Sequence, residues 1–267
     1  MGQSSGAALA HDVAITPQMK GKLFNVIPLS GSAVSYWGYW NHTQSLRNAR
    51  ELASAAHCNF ADTGELVECL RQLPPEELTV LRLHGNDTWR PVVESQYFPG
   101  TAEELVKENH DFNLFISSVP DDGYEYIFSQ TWDHDDKEAR FRQFIRELTV
   151  PRDDTYGKMP FLEEVFFHAF YPYDNLEAFN FNAYADWQNV SRYIETDVSF
   201  ENGAFKGAKL HVEAGGTAYY YGLNGPSSEA ESSSETPAWL RFVHSEDLGS
   251  WLKINKFFSN LVEAIKI

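Results

Sequence analysis

An α/β fold is predicted by three features of this chain. Short apolar runs rich in Val, Ile, Phe and Tyr, at residues 23–29, 112–119 and 217–223, end in turn residues and read as strands. Between them lie longer stretches whose apolar residues recur at helical spacing. Strands separated by helices build a layered sheet, not a sandwich. The 267 residues, 43% hydrophobic and 15% aromatic, suffice for one large core or two modest ones.

The elements follow in chain order. Gly2-Gln3-Ser4-Ser5-Gly6 spells G-x-S-x-G. Small residues beside the serine let the chain reverse sharply into a helix and lift the hydroxyl clear of the backbone, which makes Ser4 a candidate nucleophile. The Ala- and Leu-rich stretch 7–13 fits that helix, and Pro17 closes it. The sequence starts at Met1, so the strand expected before such a turn is missing and Ser4 is expected to fray.

Residues 23–29 read as one buried strand ending in Ser30-Gly31-Ser32. Leu46, Ala49, Leu52, Ala53 and Ala56 mark one face of a helix running towards Cys58. Thr63 is expected to cap the next helix, and Pro74-Pro75-Glu76-Glu77 opens another. Thr101, with Glu104 three residues on, is a capping box. The strand 112–119 stops at the turn Pro120-Asp121-Asp122-Gly123.

Residues 133–148 form an amphipathic helix with Phe141, Phe144, Ile145 and Leu148 inward, and 160–170 a helix rich in phenylalanine. The aromatic density from 161 to 187 is open to two readings, a packed core, which is favoured, or the lining of a substrate gorge. Another helix precedes Asp197, and 206–214 leads through Gly215-Gly216 into the strand 217–223. A low-complexity acidic loop, 225–237, follows. The tail is amphipathic through Trp251, Leu252, Ile254, Phe257 and Phe258. No internal repeat or linker divides the chain.

Composition excludes some functions. A net charge of −17 repels phosphates, so nucleic acid is not an expected partner. No apolar stretch approaches a membrane span, and no leader is recognisable. Ten residues separate Cys58 from Cys69, which fits neither a metal site nor a C-x-x-C pair, and no metal or cofactor is expected. The pair is open to two readings: a disulfide, worth roughly 3 kcal/mol in the chain-entropy model, or two buried thiols in a cytosolic protein. Sequons at Asn41-His42-Thr43, Asn86-Asp87-Thr88 and Asn189-Val190-Ser191 lean, with the cysteines, towards a secretory environment.

A serine nucleophile needs a base to take its proton and a carboxylate to orient that base. Asp122 sits on the turn after strand 112–119, with Asp121 and Glu125 as rivals. His244 lies in Phe242-Val243-His244-Ser245-Glu246-Asp247-Leu248, beyond the acidic loop. Eight other histidines compete: His110 and His134 lie among polar residues, and His168 and His211 lie in helical segments that suit structural roles. The order Ser4, Asp122, His244 is that of α/β-hydrolases.

On these residues the chain resembles the type-B carboxylesterases, the family of carboxylesterases, cholinesterases and juvenile hormone esterases. The likeness runs from Gly2 to about Gly222 and resumes at Val243-His244. Gly2-Gln3-Ser4-Ser5-Gly6-Ala7 is similar to the elbow G-E/Q-S-A-G-A. Gly21-Lys22-Leu23-Phe24 and Ser30-Gly31-Ser32 resemble the start and end of the next strand. His57-Cys58 with Cys69-Leu70-Arg71 resembles the G-C and C-L-R pair, and Pro91-Val92-Val93-Glu94 resembles P-V-V-D. Asp121-Asp122-Gly123 resembles the acid turn D-E-G, and His244-Ser245-Glu246-Asp247-Leu248 the histidine loop H-G-x-E-L.

The resemblance implies a partial α/β-hydrolase fold, the C-terminal half of the sheet with packed helices. Residues 1–267 would form a partial domain lacking its N-terminal half and the H-G-G loop of the oxyanion hole. It implies a Cys58–Cys69 disulfide, no cofactor, a small-molecule ester substrate and a secreted or secretory-lumen location. As a serine carboxylic-ester hydrolase, Ser4 would attack the carbonyl. His244 would act as base and then acid, Asp122 would hold its tautomer, and the Ser5 backbone N–H would donate to the oxyanion. Trp37 falls where the family has an acyl-pocket tryptophan, and Ser32 where a serine supports the catalytic histidine. Gln3 replaces the glutamate of cholinesterases, which favours a neutral ester. In this truncated form, little or no turnover is expected. The alternative is a non-catalytic, neuroligin-type adhesion module or an inactive remnant. Such relatives generally lack the serine, so Ser4, Asp122 and His244 together favour enzyme ancestry.

Overall fold

The computed structural model describes residues 1–83, 89–128, 137–156, 162–170, 184–223 and 240–248. Five short strands pair in parallel: β1 (Gly2–Gln3), β2 (Asn25–Val26), β3 (Pro28–Leu29), β4 (Asn113–Ser118) and β5 (Thr217–Gly222). The run expected as one strand over 23–29 is split. β2 pairs with the start of β4, and β3 pairs with both its end and β1. Pro28 brings no N–H, so the ladder is interrupted there. β5 runs along β4 for its whole length, Asn113 opposite Thr217 through Ser118 opposite Gly222.

One expectation is corrected at the first residues. Gly2 and Gln3 are themselves the strand before the serine turn. The Gly2 N–H donates to Ile27 O at 3.0 Å and the Ser4 N–H to Leu29 O at 2.9 Å. Two carbonyls on the neighbouring segment, Ile27 O and Leu29 O, accept from the Gly2 and Ser4 amides and hold the turn, so Ser4 does not fray.

Helix α1 (Ser5–Ile15) leaves the turn and packs on β1 and β3. α5 (Ala102–Glu108) and α10 (Asn202–Glu213) complete this layer. Leu114 and Ile116, alternate residues of β4, are fully buried with Ile15, Leu105 and Val106. Each such side chain stabilises by about 1.5–3 kcal/mol.

The second core is helical. Phe141, Phe144, Ile145 and Leu148 of α7 (Lys137–Tyr156) meet Phe167 of α8 (Leu162–Phe170) and Trp187 and Ile194 of α9 (Tyr184–Glu195). Ile127 of α6 (Tyr124–Phe128) joins them. The described part of the aromatic-rich region is thus packed core. The helix before Asp197 does not end there. A π-helical turn, Thr196–Glu201, carries α9 straight into α10.

The peripheral helices are α2 (His42–Ala55), α3 (Thr63–Arg71) and α4 (Pro75–Leu83). Asn41 caps α2 in a reciprocal box with Gln44, and Thr101 and Glu104 do the same for α5. Asp62, not Thr63, caps α3: its carboxylate accepts from the Glu65 N–H at 3.0 Å, and Thr63 is the first helical residue. Cys58 and Cys69 form a disulfide, packed with Ala53 and Leu66.

The acidic loop 225–237, the apolar tail, the sequon at Asn86, His134 and the Glu125 side chain lie outside the described residues. Among the described residues no helix is long and apolar enough to cross a membrane.

Candidate active site

Because the strands are parallel, their C-terminal ends share one edge, and the residues that follow them can meet there. Ser4 follows β1. Its backbone is at φ 58° and ψ −126°, a conformation that costs of order 1–3 kcal/mol and persists only where packing enforces it. The enforcement is visible. Ser4 N–H is held by β3, and Ser4 O accepts from the Ala7 and Ala8 N–H groups at 2.9 and 3.1 Å, which starts α1. A Cβ on Gly2 would lie 2.0 Å from Gly6 O, and one on Gly31 would lie 2.5 Å from Ser4 O. Glycine is required at both positions. Ser5 opens α1, so its N–H belongs to the first-turn amides that have no intrahelical acceptor.

The acid turn follows β4. Asp122 is buried; its Oδ2 accepts from the Val119 N–H at 2.8 Å, and its Oδ1 lies 2.8 Å from His244 Nδ1. A carboxylate only accepts, so Nδ1–H donates and the neutral ring carries a lone pair on Nε2. Its rival Asp121 does something else. Asp121 is paired with the buried guanidinium of Arg192 and accepts from the Arg241 N–H at 2.6 Å. Asp121 and Val243 also form a parallel bridge. One aspartate pins the histidine loop while the next meets the histidine.

His244 is reached by Asp122, Phe200 and Gln3. Its side chain is 16% exposed. The Phe200 ring, from the π-helical turn, lies 4.8 Å from the imidazole and 6.1 Å from Trp37, whose Nε1–H donates to Ser199 O. Gln3 Nε2 lies 3.1 Å from His244 Nε2. Ser4 Oγ is not hydrogen-bonded to His244 in this state.

One placement differs from expectation. Ser32 Oγ meets His11 Nδ1 at 3.2 Å, not His244, because α1 lies over the end of β3 and brings His11 down onto it. His11 is fully buried, and burial first, then the nearby His211, lower its pKa to about 3. Burial raises its neighbour Asp12 to about 8. Asp247, the acidic position of the histidine loop, is a buried carboxyl beside the site to which the sequence assigned no role. Burial first, then the Asp122 charge, push it above the usual carboxylate range. Its signals were the acidic position in the loop pattern and its place three residues past His244.

A serine elbow, an aspartate and a histidine on the C-terminal edge of a parallel sheet define an α/β-hydrolase type of site. The Carboxylesterase family model matches residues 1–263, and the chain belongs to that family. It is 24% identical to Neuroligin-2 from Homo sapiens over 261 residues, covering 92% of this chain and 29% of that protein. Carboxylesterase 3 from Homo sapiens is 24% identical over 152 residues, 56% of this chain and 26% of the relative. Carboxylesterase 5A from Ovis aries is 23% identical over 227 residues, 82% of this chain and 55% of the relative. The chain therefore spans between about a quarter and just over half of these proteins.

Proposed function

We propose that the protein is a serine carboxylic-ester hydrolase with Ser4 as nucleophile, His244 as base and Asp122 as orienting acid. One observation carries this reading: the Asp122–His244 hydrogen bond lies on the sheet edge where Ser4 is held in an enforced, strained turn. Ser4 Oγ attacks the ester carbonyl carbon as its proton passes to His244 Nε2. The tetrahedral oxyanion takes a hydrogen bond from the Ser5 N–H. Collapse expels the alcohol, which leaves with the proton from Nε2, and water then repeats the sequence on the acyl-enzyme to release the acid. Trp37 and Phe200 would bound the acyl group. Gln3 adds no charge beside the nucleophile, which favours a neutral ester over a cationic one.

The adhesion alternative is favoured by one finding, the likeness to Neuroligin-2 over nearly the whole chain. A secretory location is supported by the Cys58–Cys69 disulfide and the exposed sequon at Asn41. A fluorophosphonate probe with peptide mapping separates the two functions. Covalent label at Ser4, absent in Ser4→Ala, is the expected result in a protein of its relatives' full length, with little or no ester turnover by these 267 residues alone. A correctly folded full-length protein that stays unlabelled removes the hydrolase reading and leaves the binding module.

A further inference from the structure

We propose that Gln3 is a positioning residue that gates the base: its amide holds His244 Nε2 in the resting site and must release it before Ser4 reacts. The inference rests on the hydrolase reading above. Asp122 fixes the imidazole proton on Nδ1, which leaves Nε2 as the lone pair that has to accept the Ser4 proton. The group 3.1 Å from that lone pair is an amide nitrogen, a donor. The general base is thus already hydrogen-bonded by the residue next to the nucleophile, while Ser4 Oγ has no bond to it.

Release needs no backbone movement. Gln3 is the last residue of β1, in register with Leu29, and the Ser4 N–H holds the same Leu29 carbonyl. The Gln3 side chain is only half-buried, so a rotation about its own bonds frees Nε2. The amide also suits the next step. Once Nε2 carries the proton it becomes a donor, and a turned amide presents Oε1 to accept from it. A carboxylate at this position could serve only the charged ring, and it would hold that ring charged to higher pH.

The test uses the full chain with 15N-labelled histidine, and reads both the His244 Nε2 resonance and the rate of fluorophosphonate labelling across the histidine titration range. Gln3→Leu keeps the size but cannot donate. Its Nε2 resonance should move to that of an unbonded lone pair, and Ser4 should label about threefold to tenfold faster, the worth of one neutral hydrogen bond. Gln3→Glu should move the pH midpoint of labelling up by about one unit. A Gln3→Leu protein of unchanged melting temperature whose resonance does not move, or whose rate is unchanged or slower, overturns the gate. If neither wild type nor variant labels at all, the hydrolase reading fails, and the hydrogen bond stands or falls on the nitrogen resonance alone.

Discussion

Among the described residues, two histidines with a serine and an aspartate close by in space or in sequence end in opposite states. On the sheet edge, His244 is partly open to solvent and has the Asp122 carboxylate on Nδ1. Beneath α1, His11 is sealed in the core with Ser32 Oγ and the Ala33 N–H on its Nδ1, and no carboxylate bonds its ring. A base must be stabilised when it becomes charged. The Asp122 carboxylate stands 2.8 Å from His244, where that charge would form, whereas burial and His211 oppose it for His11 and hold its pKa at about 3. Asp12 is adjacent in sequence yet keeps its own proton to about pH 8, so it has no charge to offer near neutrality. Residue type does not make a catalytic group; access and a correctly placed charge do.

Neutralising the charge at the open group should have the largest effect. Asp122→Asn turns an amide N–H towards Nδ1 and drives the imidazole proton to Nε2, the wrong nitrogen. Labelling of Ser4 should fall about 10⁴-fold, the scale seen when a triad aspartate is so replaced. The circular-dichroism spectrum should stay native. A loss under tenfold would erase the distinction between the two groups.

The sequence carried much of the open group because its parts are local. Glycines at 2 and 6 announce the elbow, and Asp121-Asp122-Gly123 announces a turn after an apolar run. His244 was marked by chain order and its place beyond the acidic loop, and the family likeness added the loop pattern that set it apart from eight other histidines. What stayed hidden depends on contacts between distant segments. β1 exists only because two amides find β3, and Gln3 meets His244 across 241 residues of sequence. The family likeness set Ser32 beside the catalytic histidine, whereas in the structure its hydroxyl meets His11. The π-helical turn was equally illegible: residues 196–201 contain no glycine or proline to mark it apart from the helices on either side.

The sealed group should reveal itself through stability, at an intermediate size. His11 binds a proton below pH 6.5 when unfolded but only near 3 when folded, so its contribution is lost as pH falls from about 6.5 towards 3. Asp12 has the opposite sign. Unfolded, it ionises near 3.8; folded, it holds its proton to about 8, so stability is lost as pH rises between those values. Of these two groups, only Asp12 still contributes a slope above pH 6.5. Asp12→Asn, uncharged throughout, should flatten the melting temperature between pH 6.5 and 8 and raise stability at pH 8 by up to a few kcal/mol. An unchanged slope would mean that Asp12 ionises freely and that the two groups differ less than their burial indicates.

The smallest effect probes whether the two groups are separate. Ser32→Ala removes the hydroxyl that meets His11, and His11 Nδ1 still accepts from the Ala33 N–H. The Val34 N–H loses the same oxygen as its acceptor. Stability should drop by about 1–2 kcal/mol, the cost of leaving one buried donor unmet. Labelling of Ser4 should stay within twofold, because the Ser32 hydroxyl touches His11 and not His244. A tenfold slowing at unchanged fold would mean that Ser32 supports His244, as its place in the sequence first implied. The two histidines would then belong to one connected network, with the buried ring acting on the open one through the end of β3.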